Sequence, residues 1–160
     1  MAEQKTNVMR MLSQKKIPYK AHEYPHGDTA VDGVTVARIT GLAPEMVFKT
    51  LVCRGAGKGV YVFCIPVAKE LDLKKAAKAV GDKSVAMVPV AELTALTSYV
   101  RGGCSPIGMK KQYPTVFHDS VNEISSVVVS AGKIGYQVEL EPGTLTKLLG
   151  ASTADIITEV

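Results

Sequence analysis

The stretch EMVFKTLVCR, residues 45–54, decides how this chain is read. Val, Phe and Leu dominate it and Pro44 stands just before it, so it reads as a strand entered through a turn. Strand side chains alternate, which puts Val47, Lys49, Leu51 and Cys53 on one face and Phe48, Thr50 and Val52 on the other. Both faces are largely apolar, the pattern of a strand covered on both sides. Lys49 is the exception. A buried, unpaired ammonium is strongly disfavoured or gives up its proton. Either Lys49 reaches solvent along its own stem, or it lines a pocket that receives an anion.

Working outward, residues 6–16 read as a helix with Thr6 as N-cap and Val8, Met9 and Leu12 as its apolar stripe. Residues 19–24 read as a strand ended by Pro25, and residues 34–40 as a helix closed by Gly41. GAGKG, residues 55–59, is a hairpin turn into a second apolar strand at 60–65. It lacks the spacing of a phosphate loop, and a strand rather than a helix follows it. Residues 71–80 form a helix that Asp72 can cap and Gly81 ends, with Leu73, Ala76, Ala77 and Val80 expected to face inward. Lys74, Lys75 and Lys78 lie around its other side, as a solvated face or a contact for phosphate. A strand at 84–88 leads to a short helix at 89–96, with Pro89 in its first turn. Strands follow at 115–117, 126–130 and 134–140, then a helix at 142–149 closed by Gly150 and a last strand at 154–157. The mixture predicts a single α+β domain over residues 1–160 with a mixed, barrel-like sheet.

Composition narrows the possibilities. The chain has 160 residues, 46% hydrophobic and 21% charged, which suits one globular domain with one good core. The net charge of +4 permits an anionic ligand or RNA without demanding either. The three cysteines, Cys53, Cys64 and Cys104, form no Cys-x-x-Cys pair, and two sit in apolar strands. Buried, reduced thiols are the expectation, which suits the cytoplasm. The first residues, MAEQKTNVMR, lack the apolar centre of a signal peptide, and no apolar run is long enough to cross a bilayer.

The second unusual stretch is VRGGCSPIGMKK, residues 100–111. Gly102, Gly103 and Gly108 free the backbone and Pro106 stiffens it. Such a loop can aim several N–H groups at one carbonyl, oxyanion or phosphate, or it can be a long surface turn. Cys104 within it could serve as a nucleophile only with a base and a lowered pKa, and His22, His26 and His118 stand at no telling spacing. The same scatter argues against a metal site.

HEYPH, PEMVFKTLV, ELDLKKAAKAVG, YVRGGCSPIGMKK and VVVSAGKIGYQVEL, in that order, resemble the YbaK family. These are free-standing relatives of the editing domain inserted in bacterial prolyl-tRNA synthetase. The likeness runs from about residue 6 to residue 157, and FKTLV with GGxSPxG is its most specific part. It implies an α+β fold with a barrel-like sheet, no metal and no cofactor. The implied activity is removal of cysteine from mischarged Cys-tRNA(Pro) in trans, with Ala-tRNA(Pro), another small misacylated tRNA, or non-catalytic binding of an aminoacylated RNA end as alternatives.

The resemblance also implies roles for residues. Lys49 would hold the terminal adenosine and phosphate end of the tRNA near the ester. Gly102 and Gly103 would supply the oxyanion contact. Tyr24, Thr50, Ser105, Pro106 and Gln137 would line the substrate pocket. The substrate's own thiol would attack its ester, so no protein nucleophile is needed. Expected partners are the aminoacylated 3′ end of tRNA and prolyl-tRNA synthetase. Some relatives have an acid where this chain has Gln137, and an aromatic within GDTAVDG, residues 27–33. Cys104 occupies a variable position and is assigned no role.

Overall fold

The computed structural model describes residues 5–25 and 33–159. Along the chain run α1 (Asn7–Gln14), β1 (Lys20–Glu23), α2 (Gly33–Thr40), β2 (Phe48–Gly55), β3 (Val60–Pro66) and α3 (Leu73–Val80). β4 (Val85–Met87), α4 (Val90–Thr97), β5 (Thr115–His118), β6 (Val127–Ser130), β7 (Tyr136–Leu140), α5 (Pro142–Leu149) and β8 (Ser152–Ala154) complete it.

The helix ends follow local chemistry. Met9 N–H donates to the Thr6 hydroxyl at the start of α1, whose Val8, Met9 and Leu12 are buried. Lys74 and Lys75 N–H both donate to the Asp72 carboxylate, and α3 stops where Gly81 takes a φ of 70°. Leu73, expected inside, is 42% exposed: it occupies the first position of α3, one turn before the buried Ala76 and Ala77. Lys75 is not simply solvated: its ammonium donates to Asp155 at 3.0 Å and to the Ile157 carbonyl at 2.9 Å. The strand expected at 45–54 starts at Phe48, since Pro44–Met46 form one 3-10 turn first. The last strand lies at Ser152–Ala154 rather than 154–157; Ile157 instead makes an isolated bridge to Leu71.

The strands form two sheets, of order β1-β7-β6 and β4-β2-β3-β5-β8. β2 pairs antiparallel with β3 through the GAGKG hairpin, and β3-β5 and β5-β8 are parallel. The two sheets meet at one isolated parallel bridge, Val47 to Val128. The sheet is therefore mixed, as expected, but it is not closed into a barrel. Closure requires continuous pairing around the ring, and among the described residues β1 and β8 remain unjoined edges.

Strand alternation distributes the core over both faces of β2 and β3. Phe48, Val52, Val62 and Cys64 pack with Phe117, α1, α5 and the inner face of β6 and β7. Cys53, Phe63 and Ile65 pack on the opposite face against Ala76 and Ala77 of α3 and Ile156. A third, small cluster of Ala37, Val47, Val67 and Val128 seals the bridge between the sheets beneath α2. Each fully buried aliphatic or aromatic side chain of this kind contributes roughly 1.5–3 kcal/mol.

Candidate functional site

The junction of the two sheets organises the site. Val47 and Val128 share a face, and alternation carries Lys49 and Ser130 onto it, each two residues beyond the bridge. Ser130 is registered with Gln137, and Gln137 with His22. Lys49, Ser130, Gln137 and His22 thus belong to one face running across β2, β6, β7 and β1. Lys49 is half-buried, and its side chain makes no hydrogen bond or ion pair among the described residues. Gln137 is 7% exposed, and its Oε1 is buried without a hydrogen-bond partner. An unmet buried acceptor costs about 1–3 kcal/mol. One charge and one acceptor on the same face are therefore left for something outside the described chain.

The turn between β6 and β7, residues 131–135, draws in two more of the expected residues. Tyr24, buried at the end of β1, donates its N–H to the Gly135 carbonyl at 2.9 Å. Gly103 is buried against the same turn: a Cβ there would stand 3.0 Å from Ile134 N and 3.3 Å from the Lys133 backbone. Gly102 adopts a φ of 86°, a conformation that glycine tolerates freely.

Within the loop, Gly103 N–H donates to the Val100 carbonyl at 3.0 Å. Ser105 is fully buried, and its hydroxyl accepts from Ile107 N–H at 3.2 Å. Tyr99 donates its hydroxyl to the Ile107 carbonyl at 2.6 Å. Pro106 is buried beside them. Ser105 and Pro106 thus hold the loop in shape. The N–H groups of Cys104 and Ser105 have no acceptor among the described residues.

Thr50 lies apart from Lys49. It points to the opposite face of β2, where its hydroxyl stands 3.8 Å from the Cys64 thiol. Cys64 and Cys104 belong to the same core cluster, so Thr50 faces the core that also holds Cys104. Burial pushes the Cys104 thiol up to about 12, and burial pushes Cys64 up as well. Cys53 is raised to about 11 by the same cause. Neutral thiols in apolar surroundings are poor nucleophiles. His22 is engaged with Glu139 at 2.7 Å, and His118 Nδ1 accepts from Ile156 N–H at 3.3 Å. Neither supplies a base to Cys104.

Ser130 is the residue that the sequence did not single out. Its hydroxyl accepts from Gly132 N–H at 3.1 Å, and register alone sets it between Lys49 and Gln137. No spacing within VVVSAGK reveals this. His26 and residues 27–32 of GDTAVDG lie outside the described residues. No cluster of three metal-ligating side chains occurs among the described residues.

The fold is thus a two-sheet α+β domain in which Lys49 and Gln137 share a face at the sheet junction and Gly103 packs on the turn that follows Ser130. The chain belongs to the aminoacyl-tRNA editing domain family, whose profile matches residues 25–148. It is 46% identical over 157 residues to a protein of Enterococcus faecalis provisionally named Cys-tRNA(Pro)/Cys-tRNA(Cys) deacylase EbsC, covering 98% of this chain and 96% of that one. A scaffold protein used for computational epitope backbone grafting superposes with a TM-score of 0.84 at 26% identity, covering 96% of each chain. A crystal structure described as a candidate trans-editing enzyme for prolyl-tRNA synthetase superposes with a TM-score of 0.82 at 24% identity, covering 98% of this chain and 99% of that one. That likeness concerns the fold.

Proposed function

We propose that this protein is a trans-editing deacylase that removes cysteine from mischarged Cys-tRNA(Pro). The observation that carries the proposal is the uncompensated pair at the sheet junction. Among the described residues Lys49 lacks an anion and Gln137 Oε1 lacks a donor, on one face, beside the turn against which Gly103 packs. An aminoacylated 3′ end supplies both: phosphate for the ammonium and an α-ammonium for the amide oxygen. The kinship with a protein named as such a deacylase supports the choice of amino acid.

The chemistry then needs no protein nucleophile, which agrees with the raised thiol of Cys104. The substrate's thiol sulfur attacks the ester carbonyl and a C–S bond forms. The C–O bond to the ribose oxygen breaks, and the thiol proton ends on that oxygen. The cyclic thioester that leaves is hydrolysed by water. The loop's contribution is charge stabilisation: the unclaimed N–H groups of Cys104 and Ser105 are the donors for the developing oxyanion, while Gly102 and Gly103 let the backbone approach closely. Lys49, Tyr24 and Gln137 position the substrate, and Ser105, Pro106 and Thr50 support the loop from its buried side.

The test is a panel of tRNA(Pro) charged with cysteine, alanine or serine, followed for loss of the ester. Rapid loss of cysteine with serine retained is expected, because a hydroxyl is a much weaker nucleophile than a thiol. Loss of alanine at an equal rate would reject the substrate-thiol mechanism, since alanine has no side-chain nucleophile. Partnership with prolyl-tRNA synthetase belongs to the same proposal, and co-elution with the synthetase and tRNA checks it.

A further inference from the structure

Two open clefts lie away from the sheet junction, and their charge differs. One, of about 470 Å3, sets Lys69, Lys75 and His118 among Asp119, Asp155 and Glu159. Asp155 already holds Lys75 there, and Asp119 stands 3.5 Å from His118. The other, of about 300 Å3, is lined by Lys5, Asn7, Ser98, Tyr99, Gly132 and Lys133 among others, and no carboxylate of the described residues lines it. Both lysines are exposed, and the Lys133 ammonium stands 5.5 Å from the Tyr136 ring centre.

The floor of this second cleft is closely packed and continuous with the glycine loop. Gly132, at a φ of 91°, lies so close to Tyr99 that a Cβ would stand 2.9 Å from its ring. Tyr99 is itself tied to Ile107 at the end of the loop. The same turn, residues 131–135, lines the cleft through Gly132 and Lys133 and backs Gly103 through Lys133 and Ile134. A chain whose last nucleotide ends at Gly103 has this turn, and through it the cleft, as a direct neighbour.

We propose that the cleft holds a backbone phosphate of the single-stranded RNA leading to the terminal nucleotide, with Lys5 and Lys133 as its cations and Asn7 and Ser98 as neutral donors. The inference rests on the deacylase reading for the direction of the RNA, not for the existence of the site. Such a subsite fixes the strand without reading its sequence, and it lies next to the proposed catalytic loop rather than within it.

The decisive measurement is binding of a fluorescent single-stranded RNA oligonucleotide ending in a 3′ adenosine, titrated over a range of salt. Wild type is compared with the Lys5→Gln/Lys133→Gln double variant, and with Lys74→Gln/Lys78→Gln on the exposed side of α3 as a control. The slope of log K against log salt is expected to become shallower by about 0.7 for each phosphate no longer neutralised, with affinity falling on the order of tenfold at about 0.1 M salt. The control pair should move neither. Alongside, the K5Q/K133Q variant should raise KM for Cys-tRNA(Pro) with kcat unchanged, yet cleave 3′-cysteinyl adenosine, which has no upstream phosphate, as wild type does. An unchanged salt slope, or wild type failing to bind the RNA, overturns the subsite, as does an equal loss on both esters. If wild type cleaves neither ester but binds the oligonucleotide through these lysines, the deacylase reading fails and the subsite stands.

Discussion

Lys49 sits on a face that continues into Leu51 and Cys53 on one side and Val47 on the other, and among the described residues its ammonium has no ion-pair partner. A residue kept in that position for a visiting anion contributes to activity and not to folding. Lys49→Met should lower kcat/KM for Cys-tRNA(Pro) by roughly ten- to a hundredfold, the worth of a charge-assisted hydrogen bond of about 1.5–3 kcal/mol. The melting temperature of the same variant should hold or rise; a clear drop would mean that Lys49 is a structural residue. Cys104 makes the opposite case. With its thiol raised to about 12 by burial, native protein at pH 7–8 should resist alkylation at this residue, and unfolding should release it. Mass-spectrometric labelling reads this directly, and deacylation should survive Cys104→Ala.

Single contacts between elements carry more than their size suggests. Gly103 meets the β6–β7 turn backbone to backbone, so Gly103→Ala must shift one of the two. Overpacking of this kind costs about 1–3 kcal/mol, and here it would also displace the loop. A fall in melting temperature with an almost complete loss of activity is expected. At the other end of the molecule, Lys75 of α3 holds Asp155, just beyond β8. The hydrogen bond from Lys75 holds the Asp155 carboxyl below its ordinary value of 3.8. A depressed carboxyl stabilises the fold above its unfolded pKa and loses that contribution as pH falls through the folded one. The difference in melting temperature between wild type and Lys75→Met should therefore be constant above about pH 5 and shrink below about pH 3.8, where the carboxylates protonate. A difference that persists undiminished to pH 2 would show that Lys75 acts through its bond to the Ile157 carbonyl and not through Asp155.

The molecule as a whole depends on how its two sheets are joined. Val127 and Val128 are adjacent and both fully buried, but they serve different clusters: Val127 the large core, Val128 the seal at the bridge. Truncation of either to alanine removes similar volume and should cost about 1–3 kcal/mol. Only Val128→Ala loosens the junction that sets Lys49 against Ser130 and Gln137. Val128→Ala is therefore expected to lose markedly more activity than Val127→Ala at comparable stability, measured as kcat beside urea midpoints. Equal losses would place the control of site geometry elsewhere.

Much of this protein was legible in its residues because the governing physics is short in range. Thr6 and Asp72 cap helices through N–H groups two or three residues away, Gly81 and Gly150 end them by accepting a positive φ, and alternation alone separates Lys49 from Thr50. The family resemblance picked out Lys49, Gln137 and the glycine loop from their motifs, and the profile of the editing domain matches it. Tertiary structure decided what sequence separation hides. Val47 meets Val128 across two strands distant in the chain, and from that bridge follow the place of Ser130, the isolation of Gln137 Oε1 and the open, unclosed sheet. Register between remote strands is set by side-chain packing over the whole core, a sum that no local window contains. Local rules dictated which segments form and which way each residue faces; only the folded chain could set Lys49 and Gln137 on one face and Gly103 against the turn that follows Ser130.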